Sequence, residues 1–194
     1  PFKEQELFAE ARQLTVYRFK RRIVLFAPLY VSNICVNNCL YCGFRRDNAL
    51  LERKVLSSPE VKAEAKVMAA MGHQTVLIVA GEHPEYAGSR AIAQDILTVQ
   101  AIPGIREVKV EVMPMTGEGY RRLYEAGARG VLLYQETYDR NIYSKAHPCG
   151  PKAAFEWRLT AMERVLQAGF RKIGLGILLG LREPTLDLWM LISH

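Results

Sequence analysis

Thr75-Val76-Leu77-Ile78-Val79-Ala80-Gly81-Glu82 is the stretch on which the fold turns. Its first six residues are β-branched or apolar, too few for a helix, and closed by a glycine. Such a run reads as a strand covered on both faces, and strands of that kind belong to parallel sheets whose crossover helices bury them. The flanking sequence agrees. Upstream, Ser58 as N-cap and Pro59 at the first helical position open a helix that ends near Gly72. Before it an apolar run from Ile23 to Val31 reads as a buried strand, preceded by an amphipathic helix over Lys3 to Lys20. Downstream, a helix is expected from Ser89 to Ala101. Glu107 to Met113 then alternates Val108, Val110 and Val112 with Glu107, Lys109 and Glu111, a period-two strand with one polar face. Thr116 caps a helix that stops near Gly127, and Gly130 to Gln135 forms a fourth strand. Phe155, Leu159, Met162 and Leu166 line one stripe of the next helix. Lys172 to Leu179 is a fifth strand, and Leu186 to His194 a last helix. Alternating strands and helices of this kind predict an α/β fold on a parallel sheet.

The 194 residues suffice for one domain with a substantial core. An apolar fraction of 49% with 24% charged residues is that of a soluble globular protein. No apolar run is long enough to span a bilayer. The opening Pro1-Phe2-Lys3-Glu4 is charged and carries no signal peptide, and the absence of an initial Met suggests a cut or omitted amino terminus. The net charge of +6 would suit an acidic partner or nucleic acid. The basic residues are dispersed, however. Their densest group, Arg18, Lys20, Arg21 and Arg22, sits where cations favour a helix carboxyl end, and no nucleic-acid motif accompanies it. Neither nucleic acid nor membrane is expected as a partner.

Cys35-Val36-Asn37-Asn38-Cys39-Leu40-Tyr41-Cys42 carries three of the four cysteines at C-x3-C-x2-C spacing. Three thiolates this close suit three irons of one four-iron cluster, leaving the fourth iron open to a small molecule. The competing reading is structural zinc, which needs a fourth ligand. Cys149 and His147 are over a hundred residues away, and His73, His83 and His194 add no zinc-ligand spacing. Reduced thiols in such a pattern fit the cytoplasm.

With Tyr41 just before the third cysteine, the motif resembles the radical S-adenosylmethionine (SAM) enzymes. The resemblance extends through nearly the whole chain. It runs from Ala27-Pro28-Leu29-Tyr30-Val31-Ser32-Asn33 through Gly43-Phe44-Arg45-Arg46, Val79-Ala80-Gly81-Glu82-His83-Pro84 and Gln135-Glu136-Thr137-Tyr138. It continues with His147-Pro148-Cys149-Gly150-Pro151-Lys152, Trp157-Arg158-Leu159 and Gly174 to Leu181. In that order these segments look like the aromatic amino acid lyases of the radical SAM class. The tyrosine lyases of [FeFe]-hydrogenase maturation are most similar, and the 2-iminoacetate synthases of thiamine biosynthesis are near relatives. The resemblance implies a partial (β/α) TIM-type barrel over residues 23–194 behind a helical extension at 1–22. Closed barrels of eight strands take about 250 residues, so the chain reads as truncated after about five strands. It further implies a [4Fe–4S] cluster and SAM as cofactors and a reductant such as flavodoxin or ferredoxin. SAM is cleaved to a 5′-deoxyadenosyl radical, and L-tyrosine is split at Cα–Cβ into p-cresol and dehydroglycine. The later formation of carbon monoxide and cyanide needs a second three-cysteine motif, which these 194 residues do not contain.

The resemblance assigns Cys35, Cys39 and Cys42 to the cluster, with Tyr41 and Phe44 either flanking the adenine or packing beside the cluster. Gly81 and Glu82 follow a buried strand at the rim where barrel active sites lie. Glu82 would receive the ammonium of SAM, or be a solvated loop carboxylate. Gln135 and Glu136 are implied at the ribose and Arg158 at the SAM carboxylate, to which a guanidinium is matched in shape. The alternative is a structural ion pair between Glu136 and Arg158. Gly176 and Ile177 would admit the adenine close to backbone, unless the glycines merely serve a tight bend. If the valines of the third strand pack outward, Lys109 and Glu111 face the barrel interior. There they pair with each other or meet the substrate zwitterion, since buried charges are costly otherwise. The inverse register would put them under a helix end.

Overall fold

Five strands lie side by side in chain order, every neighbouring pair parallel: β1 (Ala27–Ser32), β2 (Thr75–Ala80), β3 (Glu107–Glu111), β4 (Gly130–Glu136) and β5 (Ile173–Ile177). The computed structural model describes residues 4–194. Each strand is followed by helix: α2 (Ser58–Ala70), α3 (Ser89–Gln100) and α4 (Gly117–Glu125) fill the first three crossovers. The fourth holds α5 (Arg140–Ala146), a 3-10 turn (Pro151–Ala153), α6 (Phe155–Leu159) and α7 (Ala161–Gln167), and α8 (Thr185–Ser193) comes last. The helix α1 (Glu4–Phe19) precedes the sheet.

The register sorts the strand residues into two faces. Leu29, Ile78, Val110 and Val131 stand in one row and are buried against Val61, Ile92, Ile96, Leu123 and Val165 of the covering helices. Tyr30, Val79, Glu111, Leu132 and Gly174 form a row on the opposite face. The valines of β3 are therefore the ones packed under the helices, and Lys109 and Glu111 point to the other side, as the first of the two registers requires. Their pairing does not occur: neither side chain takes an ion pair or hydrogen bond among the described residues. Glu107 binds Lys172 instead, at 2.7 Å.

Four sequence expectations are corrected. The opening helix is present, but it buries none of its residues. Leu7, Phe8, Leu14, Val16, Tyr17 and Phe19 spread around its circumference at about 100° per residue, so no apolar stripe exists. Lys3, where that helix is expected to start, lies outside the described residues. The run Ile23–Phe26 is exposed and precedes β1 rather than opening it. The cap of α2 is Ser57, one residue earlier than expected; its backbone N–H and hydroxyl both donate to Glu60, at 2.8 and 2.7 Å. Finally, the long helix near residue 160 is two. The backbone breaks at Thr160 (φ −83°, ψ 7°), and the buried stripe is a different one from that expected. Arg158, Ala161, Met162 and Val165 are buried, whereas Leu166 is exposed. Thr116 does cap α4, its hydroxyl accepting from the Gly119 N–H at 3.1 Å.

One core-facing helix carries an uncompensated carboxyl. Asp95 lies half-buried on α3, beside Ile92, Ile96 and Val99, with no ion pair or side-chain hydrogen bond among the described residues. Burial pushes its pKa up to about 6. A folded-state pKa above the unfolded value means the ionised form opposes folding. Stability therefore falls as pH rises through about 6 and is regained toward pH 4. Asp95→Asn is expected to stabilise the fold at pH 7.5 by about 1 kcal/mol after allowance for solvent screening. The gain should vanish near pH 4. Urea melts at the two pH values read it, and equal stability of the two proteins at pH 7.5 would count against it.

Candidate active site

The carboxyl ends of the strands open into one cavity of about 360 Å³. Its lining includes Cys35, Cys39 and Cys42, Tyr30, Tyr41 and Phe44, Gly81 and Glu82, Glu111, Tyr134 and Glu136, Lys152 and Arg158. Residues from β1 to β4 and from three loops thus meet at the end of the sheet where ligands bind in folds of this class.

The cysteine loop runs from β1 to α2 and is held by one guanidinium. Arg53 donates from Nη1 to the carbonyls of Asn33 (2.8 Å) and Phe44 (2.9 Å), and from Nη2 to that of Arg45 (2.6 Å). It satisfies backbone acceptors that a loop without regular structure would leave unpaired. The loop also touches β2 directly. A Cβ on Gly81 would sit 2.4 Å from the Ile34 carbonyl oxygen, so only glycine lets the end of β2 come this close. The Val36 N–H then donates to the Glu82 carbonyl at 2.9 Å.

Two of the three sulfurs already receive backbone N–H groups: Cys35 from Asn37 and Cys42 from Phe44, each at 3.4 Å. Cys39 is buried, and burial pushes its pKa up to about 11 although Lys152 opposes this. A metal bound at this sulfur would displace that proton. Among the described residues no three His, Cys, Asp or Glu side chains are placed to hold one metal ion. The thiols instead stand along the wall of a shared cavity, a donor set that fits a cluster in which each cysteine takes its own iron. Cys149 does not line the cavity; its sulfur meets only Arg46 among the described side chains, at 3.9 Å.

Beside the thiols lie two buried ion pairs. Arg158 holds Glu82, and Lys152 holds Glu136 at 2.7 Å. The alternative Glu136–Arg158 pair is not formed. Burial alone would raise the Glu82 carboxyl, but Arg158, Lys152 and Asn37 outweigh it and hold the pKa below the usual carboxylate range. Arg158 also donates to the Tyr134 carbonyl at 3.2 Å. Glu136 sits at φ 71°, left-handed backbone that a non-glycine residue adopts at a cost of about 1–3 kcal/mol. The strain falls at the register shift between β4 and β5, and it turns the carboxylate toward Lys152. Glu111 reaches the cavity without a cation of its own. Burial first, and then the Glu136 charge, push its pKa upward.

Tyr41 is fixed from behind. His147 Nδ1 faces the Tyr143 carbonyl at 2.7 Å and so carries the proton, leaving Nε2 to accept from the Tyr41 hydroxyl at 2.8 Å. Burial and the Lys152 charge lower the His147 pKa to about 4, which keeps the ring neutral. Phe44 packs edge-on against Tyr30, with centroids 6.0 Å apart.

Four expected residues stand apart. Gln135 is buried with both amide atoms unpartnered and does not line the cavity. Gly176 and Ile177 do not line it either. A Cβ on Gly176 would lie 2.6 Å from the Tyr134 ring, so that glycine makes room for a neighbouring side chain. Lys109 lies behind Glu111, against Gly130 and away from the cavity. Lys152, Asn37 and Arg53 are parts of the site that the sequence alone does not reveal. Lys152 leaves the one trace, a cation closing the Gly150-Pro151-Lys152 turn.

Comparison with known proteins agrees with this geometry. The profile of the Radical SAM superfamily matches residues 29–193. The chain is 36% identical to the 2-iminoacetate synthase of Salmonella typhimurium over 185 residues, covering 95% of this chain and 48% of that protein. It is 33% identical to the [FeFe] hydrogenase maturase subunit HydE of Thermotoga maritima, over 83% of this chain and 44% of that one. The crystal structure of the maturase HydG from Carboxydothermus hydrogenoformans superposes on all of it with a TM-score of 0.94 at 42% identity, using 46% of that protein. The chain therefore spans about half the length of the relatives it matches. With its three thiols, paired charges and parallel sheet, the chain belongs to the radical SAM superfamily, whose cofactors are a [4Fe–4S] cluster and S-adenosylmethionine.

Proposed function

We propose that this chain carries the cluster- and SAM-binding part of a tyrosine lyase acting in [FeFe]-hydrogenase maturation, which splits L-tyrosine at Cα–Cβ into p-cresol and dehydroglycine. One observation carries the reading: the three thiols share a cavity with two carboxylate–cation pairs placed to exchange partners with a zwitterion. A cluster scaffold without catalysis has no use for Glu82 and Arg158 in that place. The likeness to HydG supports the hydrogenase branch. The likeness to 2-iminoacetate synthase supports the thiamine branch as the second reading.

Cys35, Cys39 and Cys42 hold the cluster. Reduced by a carrier such as flavodoxin or ferredoxin, the cluster and SAM together supply the radical chemistry when bound. The protein's part is to orient and to exclude water. Glu82 takes an ammonium and Arg158 a carboxylate. Glu136 presents a pair of acceptors suited to ribose hydroxyls, with Lys152 holding it in place. Three carboxylates (Glu82, Glu111, Glu136) face two cations (Lys152, Arg158) in the cavity. The surplus carboxylate, Glu111, is the group left to receive the ammonium of tyrosine.

The test is chromatography of anaerobic reactions of the full-length polypeptide carrying this chain. p-Cresol and 5′-deoxyadenosine are expected from L-tyrosine. Phenylalanine should react poorly, because a site built to bind a phenol hydroxyl discriminates by about 10⁴-fold or more against its absence. Products from tryptophan and none from tyrosine would move the protein to the tryptophan branch, and failure to form any 5′-deoxyadenosine would leave the scaffold reading.

A further inference from the structure

We propose that Asn37 is a positioning residue that links the Cys35 sulfur to the Glu82 carboxylate, so that a cation arriving at Glu82 raises the electron affinity of the cluster. The proposal rests on the ligand assignment just given. Asn37 lies between the first two cysteines and is 1% exposed. Its backbone N–H donates to Cys35 Sγ at 3.4 Å. Its Nδ2 donates to Glu82 Oε2 at 2.8 Å and lies 3.7 Å from the same sulfur. An amide nitrogen has two hydrogens, so one group serves both acceptors.

The amide cannot turn round. Its Oδ1 accepts from the Lys152 N–H at 2.8 Å, and exchanging oxygen for nitrogen would set donor against donor there and acceptor against carboxylate at Glu82. The backbone is held as well, the Asn37 carbonyl accepting from the Arg46 N–H at 2.8 Å. Gly150 closes the remaining side. At φ 93° its absent Cβ would fall 2.4 Å from Oδ1 and 2.8 Å from the Asn37 Cα. Loop 147–152 thus presses onto Asn37 at a distance only glycine allows.

Hydrogen bonds to ligating sulfur make a cluster easier to reduce, and neighbouring groups tune metal sites through them. With Glu82 facing Arg158 alone, the Asn37 side chain is shared between carboxylate and sulfur. An ammonium at Glu82 takes up part of the carboxylate's charge and frees that N–H for the sulfur. Reduction is thereby favoured when the cosubstrate is in place.

The test is the midpoint potential of the reconstituted holoprotein, followed by paramagnetic resonance with and without S-adenosylhomocysteine, which carries the amino acid end of SAM and is not cleaved. In the wild type the potential should become less negative on addition. Asn37→Leu should keep its iron, start from a more negative potential and show a smaller shift. If Asn37→Leu does not fold, Asn37→Asp, which keeps the acceptor for Lys152 but loses both N–H donors, carries the same expectation. Wild-type potential and shift in either loaded variant would overturn the proposal. A Cys35→Ala protein with a full cluster would overturn the ligand assignment beneath it, whatever the Asn37 variants do.

Discussion

Cys39→Ala, reconstituted anaerobically with iron and sulfide, should hold almost no iron, where the wild type takes up about four per chain. Three protein ligands are the minimum for a cluster with one open iron, and the site has no spare. Cys149 is outside the cavity and in contact with Arg46. Cys149→Ala is accordingly the control and should load fully. Cys39 is also the buried member of the trio. Among the described residues no N–H group donates to its sulfur, in contrast to Cys35 and Cys42. One tightly bound zinc with no iron uptake in the wild type would end the cluster reading, and loss of iron in Cys149→Ala would end the assignment of three ligands and one open iron.

The second large effect lies at Arg158. Its side chain is 3% exposed and that of Glu82 13%, so solvent screens neither partner. Removing one member of a buried pair strands the other, which costs on the order of 3–5 kcal/mol. Arg158→Ala should therefore lose that much in urea unfolding. At the same time it should lose SAM binding in equilibrium dialysis, since the carboxylate of the cosubstrate loses its fork. Arg158→Lys keeps the charge but not the planar pair of donors, and should recover stability better than affinity. Glu82→Gln combined with Arg158→Met removes both charges. It should be more stable than Arg158→Ala while binding no SAM, a combination that separates folding from recognition. A loss below about 1 kcal/mol in Arg158→Ala would mean that water reaches Glu82 and that the pair is not buried in solution.

Local signals in the sequence carry the frame of this molecule further than they carry its site. Thr75–Ala80 is the second strand residue for residue, because an unbroken apolar run ended by glycine has no other reading. β1 begins four residues later than its apolar run because apolar character alone does not say where pairing begins: Ile23–Phe26 are as apolar as Leu29 and Val31 but have no strand beside them. The cysteines, Glu82, Glu136 and Arg158 are legible from spacing and resemblance, and they do meet in one cavity. Who pairs with whom is not. Lys152 reaches Glu136, and its backbone reaches Asn37 across 115 residues of sequence. Nothing in a local window reports such a contact. Arg53 is invisible for the same reason: its partners are carbonyl oxygens, which every residue has.

The sequential strand order bears on how such a molecule is made. Each strand pairs with the one synthesised just before it, so the sheet can grow by successive addition as the chain leaves the ribosome. The cysteine pocket does not keep to that schedule. Its lining waits for Gly150 and Lys152, which seat Asn37, and for Arg158, which neutralises Glu82. For the time it takes to translate more than a hundred residues, about 5–20 s at usual speeds, the three thiols stand at the edge of a nascent sheet without their enclosure. Cluster insertion is in this sense a late event, coupled to completion of the fourth crossover rather than to synthesis of the cysteines.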